Sequence, residues 1–142
     1  MINCWMYEEK CLEEPPDGYY GFVYCITNML TGKFYIGKKA FSYRKKTRLS
    51  KKARKTTRKR VKVEQTDSQW LDYYGSSLDV KADVKSLGKQ HFKREILYLC
   101  KNKAQLNYYE AKEQFLRDVL LTTNSYNKWI GVKVWKTSML NN

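Results

Sequence analysis

The fold is decided by residues 21–37, which have the sequence GFVYCITNMLTGKFYIG. Apolar and aromatic side chains dominate positions 20–26, a pattern typical of a buried strand. Positions 28–32 have turn chemistry, including a glycine that tolerates a positive φ. Positions 33–36 then predict a second short strand, which is expected to end at Gly37. Together these features predict a β-hairpin.

Two tyrosines of this hairpin, Tyr24 and Tyr35, stand 11 residues apart on opposite strands. Pairing through the short turn places both phenols near one end of the sheet. Tyrosine is common in strands because its ring packs well on a pleated surface. From the hairpin alone, the two residues are therefore either half-buried packing residues or members of a site.

The net charge of +14 comes from one segment. Residues 44–62 contain 12 lysines or arginines and no acidic residue, and the rest of the chain carries only +2. A run this dense cannot be buried, since nothing near it in the sequence neutralises it. We expect it to be extended or mobile, because like charges repel, and to bind a polyanion. The alternatives are a solvated loop or a targeting signal.

The length of 142 residues fits one domain, and 42% hydrophobic residues can fill a core. We expect residues 1–18 to form an N-terminal arm, which could be an added strand, a short helix or a loose segment. Residues 19–142 are expected to form a single domain with a basic insertion at about 44–62. No apolar run approaches the roughly 20 residues that cross a bilayer. The N-terminus also lacks the pattern of a signal peptide. These features predict a soluble, cytoplasmic protein with no membrane partner.

The chain has four cysteines and one histidine. There is no Cys-x-x-Cys pair, so the close-spaced ligands of a structural zinc site are absent. Cys25 and Cys100 lie in apolar runs and are predicted to be small core residues. His91 stands at the start of a predicted strand, where we expect it to be structural or to contact a phosphate.

Periodicity and capping signals after the hairpin predict helices on both sides of a third strand. This strand, residues 92–100, is expected to join the hairpin. The fold class is then α+β, with a small antiparallel sheet flanked by helices. The predicted helical segments are 38–46, one turn at Trp70 capped by Ser68, 78–87 with Leu78 inward, and 103–121 with Asn102 as its cap and Phe115 and Leu116 inward. Residues 129–135 are predicted as a closing strand or as a cover over the core.

Val23-Tyr24 and, after an eleven-residue step, Tyr35-Ile36-Gly37 resemble the core motif of the GIY-YIG nuclease family. The first half departs from that motif, because the family's glycine position falls at Phe22 and this chain has Gly21 instead. The resemblance continues in order to a late asparagine, from about residue 20 to residue 127. It implies the GIY-YIG fold and a small endonuclease of phage or mobile-element type that hydrolyses the phosphodiester bonds of DNA.

The resemblance also implies roles for individual residues. Tyr24 would activate the water as general base or relay, and Tyr35 would position it. Glu110 would bind the metal, Mg²⁺ or Mn²⁺. The family's His or Tyr position falls at Tyr73 or Tyr74. The implied catalytic set is Tyr24, Tyr35, Arg44, Tyr74, Glu110 and Asn127.

The chain departs from the family at the arginine, because that position falls at Lys45. We select Arg44, since a planar bidentate donor suits a phosphate better than an ammonium group does. Arg48 is a further alternative. A tyrosine is normally protonated at neutral pH, so a nearby cation or metal-bound water is needed for Tyr24 to act as a base.

Glu110 has a plausible role from chemistry alone, because a single metal held by a carboxylate can stabilise a phosphate and its leaving oxygen. The alternative is a solvated helix glutamate that pairs with Lys103 or Lys112. Its neighbours Tyr108 and Tyr109 indicate that it stands at the edge of the core.

Contacts with DNA are predicted for the basic segment, with the protein acting as a monomer or a dimer. The rival from another class is a non-catalytic nucleic-acid-binding module on a nuclease-like scaffold. Within the enzyme class, a homing role competes with a restriction-like or genome-degrading role. The residues predicted to contact DNA are Lys45, Lys46, Arg48, Lys51, Lys52, Arg54, Lys55, Arg58, Lys59, Arg60 and Lys62.

Overall fold

The computed structural model of the protein describes residues 3–48, 50–54 and 61–140. Its strands are β1 Trp5–Tyr7, β2 Lys10–Leu12, β3 Gly21–Asn28, β4 Phe34–Ala40, β5 Ser42–Arg48, β6 Val61–Asp67 and β7 Phe92–Cys100. Its helices are α1 Lys51–Arg54, α2 Leu78–Leu87, α3 Lys103–Leu116 and α4 Lys136–Leu140. Single 3₁₀ turns occur at Trp70–Asp72 and Lys89–His91.

The predicted hairpin is confirmed. Strands β3 and β4 pair antiparallel, with Tyr24 opposite Gly37. The turn is closed by a hydrogen bond of 2.8 Å from the Gly32 N–H to the Asn28 carbonyl, and Gly32 has a φ of +80°. The prediction that Gly37 ends the second strand is wrong, because β4 continues to Ala40. Gly37 serves a different purpose, which is to leave room for a side chain on β3.

The five-stranded sheet has the order β2-β1-β7-β3-β4. The α+β class is confirmed, and β7 joins the hairpin as the third strand, antiparallel to β3. The sheet is mixed, because β1 lies parallel to β7. Trp5 of β1 is fully buried, and its indole N–H donates a hydrogen bond of 2.7 Å to the Trp70 carbonyl. The segment predicted as a separate N-terminal arm therefore supplies two strands and a core residue to the domain.

The two faces of β3 bury two separate clusters, as the alternation of side chains along a strand requires. On one face, Tyr24 packs with residues that follow the basic segment and with α2. On the other face, Val23 and Cys25 pack against Leu106 of α3. Cys25 and Cys100 are buried free thiols, which confirms their predicted place in the core.

The helix caps agree with the predictions, but some helix residues that were predicted to face inward are exposed. The Ser77 side chain caps α2 and the Asn102 side chain caps α3, both as predicted. Leu78, predicted to be inward, is 81% exposed because it is the first residue of its helix. Helix α3 ends at Leu116 and not at residue 121, and Leu116 and Phe115 are exposed in its last turn.

The predicted helix at 38–46 is wrong. Strand β4 runs to Ala40, and β5 then pairs with β6 in a separate two-stranded sheet, which we call the basic ribbon. Phe41 anchors its base in the core. Ser68 does not cap the turn at Trp70, because its hydroxyl donates instead to the Ala40 carbonyl at 2.5 Å. Of the residues predicted to contact DNA, Lys55, Arg58, Lys59 and Arg60 lie outside the described residues.

Two further features differ from the sequence analysis, and a third agrees with it. Cys4 and Cys11 form a disulfide at the β1–β2 hairpin, and the sequence analysis did not predict that hairpin. Residues 129–135 form no strand, and Trp129 and Trp135 are 74% and 67% exposed. None of the helices in the described ranges is long and apolar enough to cross a bilayer.

Candidate active site

Tyr24 occupies a space that two glycines create. A Cβ atom added at Gly37 would stand 2.4 Å from the Tyr24 hydroxyl oxygen, so only glycine fits opposite this tyrosine. Gly75 has a φ of +91°, and a Cβ there would meet the same oxygen at 3.5 Å. The left-handed backbone at Gly75 also favours glycine. The packing of Tyr24, in the first half of the hairpin motif, thus explains why the second half ends with a glycine, Gly37.

The Tyr24 hydroxyl is buried and has no hydrogen-bond partner among the described residues. Burial, reinforced by the nearby phenols of Tyr73 and Tyr35, holds the pKa of Tyr24 well above its ordinary value. The phenol is therefore protonated at neutral pH. A buried polar group without a partner costs free energy, and such groups warrant a functional explanation.

Three tyrosines form a cluster on this face of the sheet. The ring centroid of Tyr24 lies 6.2 Å from that of Tyr35 and 5.9 Å from that of Tyr73. The Tyr35 hydroxyl hydrogen-bonds the Ser76 hydroxyl at 3.0 Å. The Lys39 ammonium lies 4.1 Å from the centroid of the Tyr73 ring.

The structure separates Tyr73 from Tyr74. Tyr74 is buried away from the cluster, with its hydroxyl bonded to the Asn3 side-chain oxygen. Its ring packs against the Arg94 guanidinium at 4.2 Å. The sequence analysis selected Tyr74 for the site, but the residue that lies beside Tyr24 is Tyr73. The side chains of Tyr73 and Tyr74 point in different directions. Tyr74 packs against Arg94, which lies in a later strand, so the sequence around the two tyrosines does not show which of them lies beside Tyr24.

Glu110 lies on α3 at the edge of the sheet, and its side chain is only 17% exposed. Its Oε1 atom is 3.6 Å from the Lys38 ammonium. Lys38 also donates a hydrogen bond to the Asn107 side chain. Burial raises the pKa of Glu110, and Lys38 partly opposes that rise. The carboxylate is therefore a desolvated group beside one cation, unlike the solvated helix glutamate of the alternative reading.

Asn127 binds the outer edge of β4. Its side-chain oxygen accepts from the Ile36 N–H at 3.0 Å, and its side-chain nitrogen donates to the Ile36 carbonyl at 2.8 Å. Gln114 of α3 donates to the same carbonyl at 3.2 Å. These bonds satisfy the backbone between Tyr35 and Gly37 as a neighbouring strand would. Asn127 therefore holds the strand that carries Tyr35.

A cavity of about 200 Å³ joins these elements. It lies where the tyrosine face of the sheet meets the helix that covers the other face. We call it the cleavage cavity. Its lining includes polar side chains that could form a site, which are those of Tyr35, Lys38, Ser76, Glu110 and Asn127.

The donor set of the cleavage cavity fits one hydrated divalent metal. Glu110 supplies a carboxylate, and the described ranges contain no group of three histidine, cysteine or acidic side chains that could hold a metal as a full cage. Mg²⁺ usually keeps several waters and binds through one or two carboxylates together with substrate phosphates. A single buried glutamate at the wall of a polar cavity meets that requirement.

Arg44 is not brought to this cavity. It lies on β5 and lines a separate cavity of about 500 Å³ with Tyr43, Gln65 and Lys101. Arg44 lies away from the cleavage cavity because its segment forms strand β5, where a helix was predicted. Lys45, Lys46 and Arg48 also belong to β5. Among the described cations, Lys38 and Lys128 line the cleavage cavity, and Lys39 contacts the tyrosine cluster.

Sequence reasoning missed Lys38 and Lys39, although a signal was present. The two lysines directly follow Gly37, so a strand that continues past the glycine sends their side chains to opposite faces. One then reaches Glu110 on the helix face and the other reaches Tyr73 on the tyrosine face. Ser76 and Trp129, which also line the cleavage cavity, carried no local signal.

The site thus combines a tyrosine pair on a β-hairpin with one carboxylate on a covering helix. Residues 5–131 match the family model described as "Putative endonuclease segE, GIY-YIG domain". The chain belongs to the GIY-YIG nuclease family, which confirms the resemblance seen in the sequence.

One curated relative is named "Putative endonuclease segD", from Enterobacteria phage T4. It is 29% identical to this chain over 112 residues. The match covers 77% of this chain but only 37% of the relative, so the chain spans well under half of that protein's length. No solved structure matches the chain significantly.

Proposed function

We propose that this chain is a DNA endonuclease that hydrolyses phosphodiester bonds with one divalent metal, Mg²⁺ or Mn²⁺. The observation that supports it best is the cleavage cavity, in which Glu110, Lys38 and Tyr35 converge beside the buried phenol of Tyr24. Membership of a nuclease family and a relative named as an endonuclease support the reaction class.

Glu110 would hold the metal, and the bound metal would neutralise developing charge on the phosphate and on the leaving oxygen. Lys38, already 3.6 Å from Glu110, would contact a non-bridging phosphate oxygen. Its charge then stabilises the added negative charge of the transition state. Asn127 would act as a positioning residue, since it holds the strand that carries Tyr35.

The tyrosine cluster would handle the proton of the attacking water. Because the pKa of Tyr24 is raised, this phenol rests protonated, so it would accept the water's proton only as its own proton passes to a neighbouring phenol, Tyr35 or Tyr73, and from there to solvent. Tyr35, held by Ser76, would orient the water at the mouth of the cavity. The Lys39 ammonium on the Tyr73 ring would favour the transient negative charge of the tyrosine pair.

DNA would be held mainly by the basic ribbon and its connection. Strands β5 and β6 pair with each other over seven residue pairs and form a sheet apart from the main one. Arg44, Lys51 and Lys52 are exposed there. Solvent-exposed cations can neutralise phosphates without a large desolvation cost, and such contacts give affinity and position more than sequence choice.

The test is incubation of the purified chain with supercoiled plasmid in Mg²⁺ or Mn²⁺, with a chelator and the Glu110→Gln variant as controls. We expect nicked or linear plasmid only from the unmodified chain with metal. A protein that retards the plasmid but never nicks it would be the non-catalytic binding module. Mapping the cut ends on a sequenced plasmid would then separate a homing role from a restriction-like or degradative one.

A further inference from the structure

We propose that Trp129 and the cavity beside it bind an unstacked nucleobase next to the scissile phosphate. This inference rests on the proposed endonuclease activity and extends it to a substrate class, which is DNA with an unpaired or easily unstacked base at the cut. It arises from a tryptophan that is 74% exposed although it lines the cleavage cavity.

Trp129 belongs to two neighbouring cavities. It lines the cleavage cavity with Glu110, and it also lines a second cavity of about 320 Å³. Tyr35, Ser76 and Lys128 are likewise shared by both. A phosphate bound near Glu110 would therefore place the attached nucleoside within reach of the indole. We call the second cavity the base cavity.

The indole is supported from behind by the backbone. A Cβ atom added at Gly131 would stand 3.0 Å from the Cζ3 atom and 3.3 Å from the Cε3 atom of Trp129. The ring thus lies close over Gly131, and a Cβ there would require the ring to shift by a few tenths of an ångström. A large apolar ring that is held in place yet exposed to solvent has the properties of a stacking platform.

The other walls of the base cavity combine apolar side chains, among them Leu78 and Tyr126, with polar ones. Lys128 and Asp79 form an ion pair of 2.8 Å, and the Ser76 hydroxyl lies nearby on the shared wall. A nucleobase offers both a π-face and an edge of donors and acceptors. Enzymes that bind an extruded base combine aromatic stacking with hydrogen bonds to that edge. The positive charges of Lys128 and Lys38 suit the adjoining phosphates.

This arrangement predicts a preference for damaged, mismatched or otherwise unpaired positions. A base must leave the helical stack to reach the indole, and that cost is smallest when the base is already unpaired. Base–aromatic stacking tolerates any of the four bases, because every base has a π-face. The base cavity would therefore select for local unpairing and not for sequence.

The test compares Trp129→Ala with Trp135→Ala as a matched control. Trp135 is also an exposed tryptophan of the same segment, but it lines neither cavity. Both variants are made in the Glu110→Gln background, so that bound DNA stays intact. Each protein is titrated against a labelled matched duplex and against the same duplex with one unpaired base.

We expect the parent and Trp135→Ala to bind the duplex with the unpaired base more tightly than the matched one. Trp129→Ala should lose that preference and bind this duplex about tenfold more weakly, the scale of one lost base–aromatic stack. Gly131→Ala should weaken the preference as well, because it displaces the ring without removing it. In a Trp135→Phe protein, fluorescence of the exposed Trp129 should be quenched by the unpaired base.

Equal preference in the Trp129→Ala and Trp135→Ala proteins would overturn this inference, as would a parent protein with no preference at all. Neither result bears on cleavage, because nicking of a fully matched plasmid is measured separately. Conversely, a failure to nick plasmid would overturn the proposed endonuclease function while the binding titrations still report on the base cavity.

Discussion

The tyrosine cluster and the basic ribbon are adjacent in sequence and opposite in construction. Strand β3 lies inside the sheet with both faces covered, β4 forms the edge beside it, and Tyr24 has no exposed surface. Strands β5 and β6 follow within the same chain but pair with each other, and Tyr43 and Arg44 are exposed. The region of the tyrosine cluster holds desolvated groups whose pKa values are shifted, and the basic ribbon holds solvated charges.

Under the proposed function, two physical requirements would be met in two places. Acid–base chemistry needs groups whose pKa values are shifted by burial, as those of Tyr24 and Glu110 are. A grip on a polyanion needs cations that stay in water until they meet phosphates. If the regions are separate in function as they are in structure, variants in one should spare the activity of the other.

The largest effect is expected from Glu110→Gln. Cleavage should fall by about three orders of magnitude or more, because a neutral amide cannot anchor the metal and that metal supplies several kcal/mol of transition-state stabilisation. DNA affinity should stay close to normal, since the ribbon is untouched. Single-turnover cleavage and a binding titration measure the two quantities.

Glu113→Gln is the matched control for this substitution, because Glu113 lies one turn further along α3 and pairs with Arg117. Circular dichroism must show that both variants are folded. Near-normal nicking by a folded Glu110→Gln protein would remove this residue from the site.

Tyr24→Phe should lower the cleavage rate by about two orders of magnitude, the scale of a lost proton-transfer group. The free energy of unfolding should not fall, because the hydroxyl that is removed is buried without a partner among the described residues. Tyr109→Phe, on the opposite cluster, is the control. A Tyr24→Phe protein that cleaves normally would show that this tyrosine only packs.

The ribbon prediction concerns affinity and its dependence on salt. If half of the 12 basic residues in 44–62 meet phosphates, log K against log salt should have a slope of about −5 for duplex DNA. Neutralising seven of them should flatten that slope and weaken binding at least about tenfold at physiological salt. The seven are Lys51, Lys52, Arg54, Lys55, Arg58, Lys59 and Arg60.

The fold and the cleavage rate at saturating protein should survive this seven-residue change, because Lys51 and Lys52 are exposed and, among the described residues, the core clusters include no residue of 50–54. Titration of both proteins against one labelled duplex at several salt concentrations decides the matter. An unchanged slope would mean that DNA is held by the core face and that the two regions are not separate in function.

Two substitutions, compared side by side, test whether Tyr73 or Tyr74 belongs to the site. Tyr73→Phe should lower the cleavage rate about tenfold with little loss of stability, because it removes a phenol beside Tyr24. Tyr74→Phe should do the reverse and cost about 1 kcal/mol of stability through the lost bond to Asn3. Kinetics and thermal unfolding of both variants are compared. A rate loss in Tyr74→Phe with a stability loss in Tyr73→Phe would mean that Tyr74, and not Tyr73, belongs to the site.

The smallest effect is a shift in pH dependence. Glu110 must be ionised to hold a metal, so cleavage should rise with pH through its pKa. Burial raises that pKa and Lys38 lowers it. Lys38→Met removes the lowering influence, so the acidic limb of the rate profile should move to higher pH. Lys112→Met is the control, and an unmoved limb would mean that another group limits the rate.

Local signals in the sequence were reliable where the structure is locally determined. The hairpin, the strand 92–100 and the caps of both long helices were all predicted. Each depends on residues a few positions apart, through strand alternation, turn chemistry or a side chain that bonds the next helical turn. The spacing of Tyr24 and Tyr35 followed from the same local geometry.

Errors arose where a residue's partner lies far away in the sequence. Strand β5 was predicted as a helix, because its pairing with β6 across residues 49–60 leaves no local trace. Trp5 was assigned to an arm, although β1 pairs with β7 almost ninety residues later. The exposed Phe115 and Leu116 were predicted inward, because periodicity does not show where packing against a helix stops.

The sequence by itself determined the hairpin with its two tyrosines, the helix that carries Glu110 and the concentration of charge in one segment. The tertiary structure alone decided which groups meet. It selected Tyr73 over Tyr74 by packing the latter on Arg94, placed Lys38 and not Arg44 beside Glu110, and set Trp129 on Gly131. The physical reason is that secondary structure depends on neighbours in the chain, whereas a site depends on distances between elements that only packing fixes.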